Sequence, residues 1–187
     1  MRKDPQTTRS ALGLPIDRVC VGFVGRFTEI KRPDRFLALA ALLPDAHFVM
    51  FGNGPLYDEI IRRATPLTNV SIFDFTTDLA EVFAATDIVV LTSDNEGVPL
   101  SLMEAAAAGL PVVSLRVGGV AEIVTHEVSG ILANDDNGLR DAVERLVQDD
   151  ALRASLGGEA QRLIHERCAL SDYLSIHERL YTQLLAR

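Results

Sequence analysis

The 187-residue sequence predicts an α/β fold: a doubly wound, Rossmann-like parallel sheet of six strands, with helices on both faces and extra helices at the C-terminal end. Three observations lead there. Six short runs are almost continuously apolar, as strands buried on both faces must be. Stretches with helical spacing separate them. Right-handed crossovers through those helices then turn the alternation into a parallel, doubly wound layer.

Residues 1–18 are polar and mixed, with Gly13 and Pro15 as turn signals, and read as a linker running into the fold. Cys20 to Val24 is the first strand, ending in Gly25-Arg26. Pro33 suits the first turn of a helix over 34–43, and Pro44 stops it. His47 to Phe51 is the second strand, closed by Gly52-Asn53-Gly54-Pro55, and a short amphipathic helix covers Leu56 to Ala64. Val70 to Phe73 is a strand and Asp78 to Ala85 a helix capped by Thr77 or Asp78. Asp87 to Thr92 is a buried strand, and Pro99 fits the first position of the helix Leu100 to Ala108. Gly109 ends that helix, and Pro111 opens the strand Val112 to Leu115. Gly118-Gly119 leads to a short helix over Val120 to Thr125. Gly130 to Ala133 is the sixth strand, and helices follow over 138–148, 150–167 and 171–186. The organisation expected is a linker at 1–18, a ligand-binding domain at 19–170 and a C-terminal helix at 171–187. The four alanines at 105–108 let a helix and the sheet approach closely.

Composition narrows the function. Hydrophobic residues make up 48% of the chain, which excludes disorder. Eighteen Lys and Arg against 26 Asp and Glu give a net charge of −8, which argues against bulk nucleic-acid binding but allows a local basic pocket. No apolar run is long enough to span a membrane, and the start lacks the apolar stretch of a signal peptide. A cytoplasmic protein is expected. Cys20 and Cys168 lie far apart and read as buried free thiols. His47, His126, His165 and His177 are scattered and read as surface or half-buried rings. Asp135-Asp136-Asn137 reads as a helix cap rather than a metal site.

In open parallel sheets, ligands sit beyond the carboxyl ends of the strands, near helix N-termini. The residues that follow the strands are therefore the informative ones. They are Gly25, Arg26 and Lys31; Gly52-Asn53-Gly54-Pro55; Asp74 and Phe75; Ser93-Asp94-Asn95-Glu96-Gly97-Val98-Pro99; and Gly118-Gly119. The first turn is not GxGxxG, and no GxxxxGK[ST] occurs, so neither a dinucleotide fold nor a P-loop is indicated. Backbone N–H groups at Val98 to Ser101 would be orphan donors at a helix start, and with the helix dipole they suit an anion. Glu96 and Glu104 beside that anion site would repel a bare phosphate. They make sense when the ligand also carries sugar hydroxyls, which donate strong hydrogen bonds to carboxylates.

On these residues the sequence from 20 to about 134 resembles the C-terminal, donor-binding domain of GT-B glycosyltransferases, specifically the retaining family 4. Glu96 to Val113 is similar to that family's EGxP…E-A…G-x-P-V-V signature, its two glutamates 104 − 96 = 8 positions apart. Gly25-Arg26 with Lys31 looks like its GR…K element, and Gly52-Asn53-Gly54-Pro55 like its G-x-G-P turn. The resemblance implies that Arg26 and Lys31 hold the donor diphosphate, that Glu96 bonds the transferred sugar, and that Glu104 takes the ribose hydroxyls. It implies backbone contacts from Gly97, Val98, Pro99 and Leu100, a phosphate-side turn at Gly25, Gly52, Asn53 and Gly54, and a base bordered by Asp74 and Phe75. Asp74 stands where the family often has Gly, and Ala121 where Pro is common after the glycine pair. The first departure bears on the geometry of the base pocket.

The implied function is the donor half of a retaining glycosyltransferase moving a hexose-type sugar from a UDP- or GDP-sugar. No cofactor or metal is expected, because Arg26, Lys31 and helix N–H groups can stabilise the departing diphosphate. An N-terminal acceptor domain, on the same full-length chain or a separate one, is the expected partner; nucleic acid is not. A peripheral place at the inner membrane face would come through that domain, and residues 171–187 would dock on it or on a second copy. The 187 residues alone are expected to bind donor weakly and turn over little. A non-catalytic nucleotide-sugar module and an epimerase or hydrolase of GT-B type are the alternatives, with a dehydrogenase the weakest.

Overall fold

A computed structural model describes residues 3–168 and 170–185. Among these, the strands β1 (Cys20–Val24), β2 (His47–Phe51), β3 (Val70–Phe73), β4 (Ile88–Leu91), β5 (Val112–Leu115) and β6 (Gly130–Ala133) form one sheet. Its order is β3-β2-β1-β4-β5-β6 and every neighbouring pair is parallel. The doubly wound sheet is the one the sequence predicts. The order reverses between β1 and β4, and this is where the crevice of such a fold opens.

Side chains alternate between the two faces because the strand period is two. Phe23, Phe48, Met50, Val90 and Val113 point to the face covered by α2 (Pro33–Leu42), α3 (Tyr57–Ala64) and α7 (Asp136–Gln148). Val49, Phe51, Val89, Leu91 and Val112 point to the face covered by α4 (Leu79–Ala85), α5 (Leu100–Ala107) and α6 (Val120–Ile123). On the first face Phe23, Phe27, Phe36 and Phe48 form a chain of ring contacts, centroids 5.2 to 5.7 Å apart. Each fully buried Phe or Leu is worth about 1.5–3 kcal/mol relative to an exposed one, so the two layers dominate stability. Consequently α2 leaves β1 on one face and α5 leaves β4 on the other. Their N-terminal ends flank the switch point.

The first correction concerns residues 1–18. They are not a plain linker: Pro5–Leu12 is a helix, α1, packed on α4. Asp4 caps it by accepting from Thr7 N at 2.8 Å, and Gly13 ends it in the left-handed region at φ 69°. Periodicity misses it because a buried cation, rather than an apolar stripe, ties it down. Arg9 is only 6% exposed. Its Nε donates to Ala85 O at 3.0 Å and its guanidinium pairs with Asp87 at 2.7 Å.

Other differences are local. Pro99 is the N-cap of α5 rather than its first residue. Asp78 and Asp135 cap α4 and α7 through Glu81 N and Gly138 N. Cys20 is buried as expected, but Cys168 is exposed at the end of α8 (Asp150–Arg167). Of the alanine run, Ala105 packs toward the sheet, whereas Ala106 packs on Ala160 and Ile164 of α8. Residues 1, 2, 169, 186 and 187, which fall within the predicted linker, domain boundary and last helix, lie outside the described residues. The last helix, α9, spans Leu170–Leu185. Among the described residues no helix is long and apolar enough to cross a membrane.

Candidate functional site

Glycines draw the rim loops together. A Cβ on Gly52 would lie 1.9 Å from Gly25 O, and one on Gly54 would lie 2.6 Å from Phe27 O. Only hydrogen atoms fit there, so the loops after β1 and β2 close on each other, and Phe27 N donates to Asn53 O at 2.9 Å. On the other side a 3₁₀ turn, Glu29–Lys31, meets the loop after β4: Asp94 N donates to Ile30 O at 2.9 Å and the Thr92 hydroxyl to Lys31 O at 2.8 Å. Arg35 reinforces this junction by donating to Thr92 O at 2.5 Å and to Asp94 at 2.8 Å. Arg32, at φ 50°, turns the chain into α2 and is held by Asp34 and Asp94. A left-handed backbone at a non-glycine residue costs about 1 kcal/mol or more, and these ion pairs offset it.

Between the loops lies a cleft of about 730 Å³, within the usual range for small-molecule sites. Its floor is apolar: Val24, Phe51, Leu79 and Val82. Its polar contributors are Arg26, Asn53, Thr76, Thr77, Ser101 and Glu104, with Gly25, Gly54, Phe75 and Leu100 completing the wall. Leu100 and Glu104 share the wall because positions four apart lie on one helix face. Pro99 offers no side-chain cap to α5. Leu102 N and Met103 N donate back to Pro99 O, which leaves the N–H groups of Leu100 and Ser101 at the helix start for a ligand. Arg26 is exposed and forms no ion pair among the described residues. Burial holds the Glu104 carboxyl above the usual range.

The predicted residues divide into three groups. Gly25, Arg26, Asn53, Gly54, Phe75, Leu100 and Glu104 line the cleft together. Lys31 and Glu96 meet one another beside it, Nζ to Oε1 at 2.5 Å, and the Ser93 hydroxyl reaches the same oxygen at 2.5 Å. Gly52, Gly97, Val98 and Pro99 shape the flanking loops. Asp74 does not line the cleft: its carboxylate accepts from Asn53 Nδ2 at 2.8 Å and from Phe75 N at 2.6 Å. Those bonds hold it below the ordinary carboxylate range. Its place in the site is to orient Asn53.

Sequence reasoning missed the floor and the α4 side of the wall. Thr76 and Thr77 precede the Asp78 cap, while Leu79 and Val82 are three apart on one face of α4. A helix start following β3 was the available signal. Ser93 falls in the rim run that the sequence marks after the fourth strand, but no spacing there singles out its hydroxyl.

These features define a class of protein: an α/β domain whose switch-point cleft combines an apolar floor, a free guanidinium, helix-start amides and a carboxylate. The family follows from comparison. Residues 18–149 match the family described as glycosyl transferases group 1, and the chain belongs to it. A D-inositol 3-phosphate glycosyltransferase from Mycobacterium leprae is 38% identical over 173 residues, 86% of this chain and 39% of that protein. An N-acetyl-alpha-D-glucosaminyl L-malate synthase from Bacillus anthracis is 27% identical over 98% of this chain and 50% of its own length. The chain thus spans two-fifths to one-half of these relatives. Among solved structures, sucrose-phosphate synthase from Thermosynechococcus elongatus superposes with a TM-score of 0.87 at 26% identity, over 99% of this chain and 50% of that one. The fold is also shared, at 21% identity and a TM-score of 0.77, with the C-terminal domain of a group 1 glycosyl transferase family protein from Francisella tularensis. That match covers 90% of this chain and 94% of the other. The expected half of a GT-B fold is what the chain forms.

Proposed function

We propose that the chain is the donor-binding half of a retaining, metal-independent glycosyltransferase that takes a hexose from a nucleoside-diphosphate sugar. The observation that carries this reading is the convergence of Arg26, the start of α5 and Glu104 on one cleft. Arg26 and the free amides suit the diphosphate, whose negative charge grows as the sugar–phosphate bond breaks. Glu104, four residues into α5, suits the ribose hydroxyls, and the apolar floor near Phe75 suits a base. Lys31 and Glu96, adjoining the cleft, suit the phosphate–sugar end. The family supports transferase chemistry, and a related fold, Anabaena HepE, has been solved with UDP and glucose. Positive charge from side chains and amides makes a metal unnecessary in this reading; unchanged donor binding in excess chelator is the expected check. The acceptor and the opposite cleft wall belong to a second domain, on the same chain or another, and the setting proposed is cytoplasmic. Alone, this half leaves the diphosphate partly solvated, so weak binding and little turnover are expected.

The test is a thermal-shift panel of UDP, GDP, ADP and their glucose or mannose conjugates, with Arg26→Ala and Glu104→Ala alongside. Binding raises the melting temperature by ligand linkage. Both variants should shrink the best ligand's shift; undiminished shifts in both would refute the assignment.

A further inference from the structure

The Glu96 carboxylate is held asymmetrically. Oε1 receives both Lys31 Nζ and the Ser93 hydroxyl, each at 2.5 Å, whereas Oε2 has no hydrogen-bond partner among the described residues. The Glu96 side chain is 10% exposed, so little freedom remains for it. Ser93 has no exposed surface at all. A buried hydroxyl must find an acceptor, and a carboxylate three residues on in the same loop is the strongest one within reach. The backbone beneath is fixed as well, through Thr92 to Lys31 O and Arg35 to Thr92 O.

We propose that Ser93 is a positioning residue: its hydroxyl sets the rotation of the Glu96 carboxylate so that Oε2 is presented to the hydroxyls of the donor sugar. The inference rests on the donor reading given above. Two donors on one oxygen define where the other oxygen lies, and a single ammonium on a flexible stem does not. Lys31 is also the less constant of the two anchors. A bound diphosphate competes for its ammonium, and once Nζ turns toward phosphate oxygens, Ser93 is the anchor left on Oε1. Pairing with Glu96 meanwhile cancels the Lys31 charge in the free protein, leaving Arg26 as the open cation at the cleft.

This placement makes Ser93 matter for the sugar and not for the nucleotide. Calorimetry on the 187-residue chain would compare UDP with UDP-glucose and GDP with GDP-mannose. Ser93→Ala should lower the ratio of sugar-conjugate affinity to diphosphate affinity by about fivefold, the scale of one hydrogen bond's typical net contribution. Diphosphate affinity itself should stay within about twofold. Ser93→Thr, which keeps the hydroxyl, should restore the ratio, and in a Glu96→Ala background Ser93→Ala should leave it unchanged. An unaltered ratio in Ser93→Ala, or a parallel loss of both ligands as a loosened loop would give, overturns the inference alone. Failure of the unmodified chain to bind any of the four overturns the donor reading, and this inference with it.

Discussion

The N–H of Gly119 donates to the carbonyl of Glu96 at 3.0 Å, so the turn after β5 cradles the loop that carries Glu96. The neighbouring Gly118 sits at φ 47°, and a Cβ there would fall 1.8 Å from the same Glu96 oxygen. Two distant glycines therefore place an acidic side chain that neither touches.

Gly118→Ala should expose that dependence. It meets two costs, a left-handed backbone and a collision with main chain that no rotamer can relieve. A loss of about 2 kcal/mol or more is expected in urea denaturation, together with weaker donor binding as the Glu96 loop moves. Gly13→Ala is the control. Gly13 is also left-handed, at φ 69°, but nothing lies within 4 Å of its Cβ position, so only the backbone cost of about 1 kcal/mol applies. Equal losses from the two substitutions would show that the close approach to Glu96 is unimportant.

Glu104→Gln should separate binding from stability. Burial raises the Glu104 pKa in the folded chain above its ordinary 4.5, so the folded state holds this proton more tightly than the unfolded state. The favourable contribution is complete below the unfolded value and is lost as pH rises through the folded one. As pH rises through the folded value the wild type takes on a partly desolvated negative charge that Gln never carries. The variant should melt at or above the wild-type temperature at pH 7, with the difference closing toward pH 4. Its ligand-induced shift should nevertheless shrink, because an amide accepts weaker hydrogen bonds from hydroxyls than a carboxylate does. A lower melting temperature for the ligand-free variant at pH 7 would contradict the burial argument.

The sheet was legible because burial on both faces writes itself as apolar runs. Cys20–Val24, His47–Phe51, Val70–Phe73, Val112–Leu115 and Gly130–Ala133 are the strands on both readings. The rim was legible because glycines mark places where only hydrogen fits, as at Gly52 and Gly118. What escaped depends on polar side chains acting over long separations. The Arg9–Asp87 pair that makes α1 part of the domain joins positions far apart in sequence. So does the Asn53–Asp74 bond that turns Asp74 away from the cleft. Neither leaves a periodic trace. Ser93 differs, since Glu96 is only three residues on, but Asp94 stands nearer still and spacing alone does not say which carboxylate the hydroxyl will find.

The two thiols should behave differently. Burial pushes the Cys20 thiol up to about 11, helped by nearby Asp87 and opposed by Arg9, whereas Cys168 is exposed. The thiolate is the reactive form, so at pH 8 an aromatic disulfide reagent should titrate one thiol in the folded chain and two in denaturant. Cys168→Ser should remove the fast equivalent. Rapid modification of both thiols under native conditions would mean that β1 opens far more readily than its central place in the sheet allows.

His47 gives the fold a distinct response to acid. Its ring starts β2, contacts Ser71 Oγ at 2.9 Å and is 8% exposed. Burial, followed by the positive fields of Arg18 and Arg9, lowers its pKa below the ordinary 6.5. The unfolded chain therefore takes up this proton first as pH falls. The stabilising contribution is complete above 6.5 and is lost as pH falls toward the folded value. Carboxylates titrate mainly below about pH 5, so imidazoles dominate the interval from pH 7 to about 5.5, and the comparison with His47→Gln singles out this one among the four. Unfolding free energies from urea titrations should decline across that interval in the wild type and decline less in His47→Gln. Parallel slopes in the two proteins would show that burying this ring neutral contributes nothing to acid sensitivity.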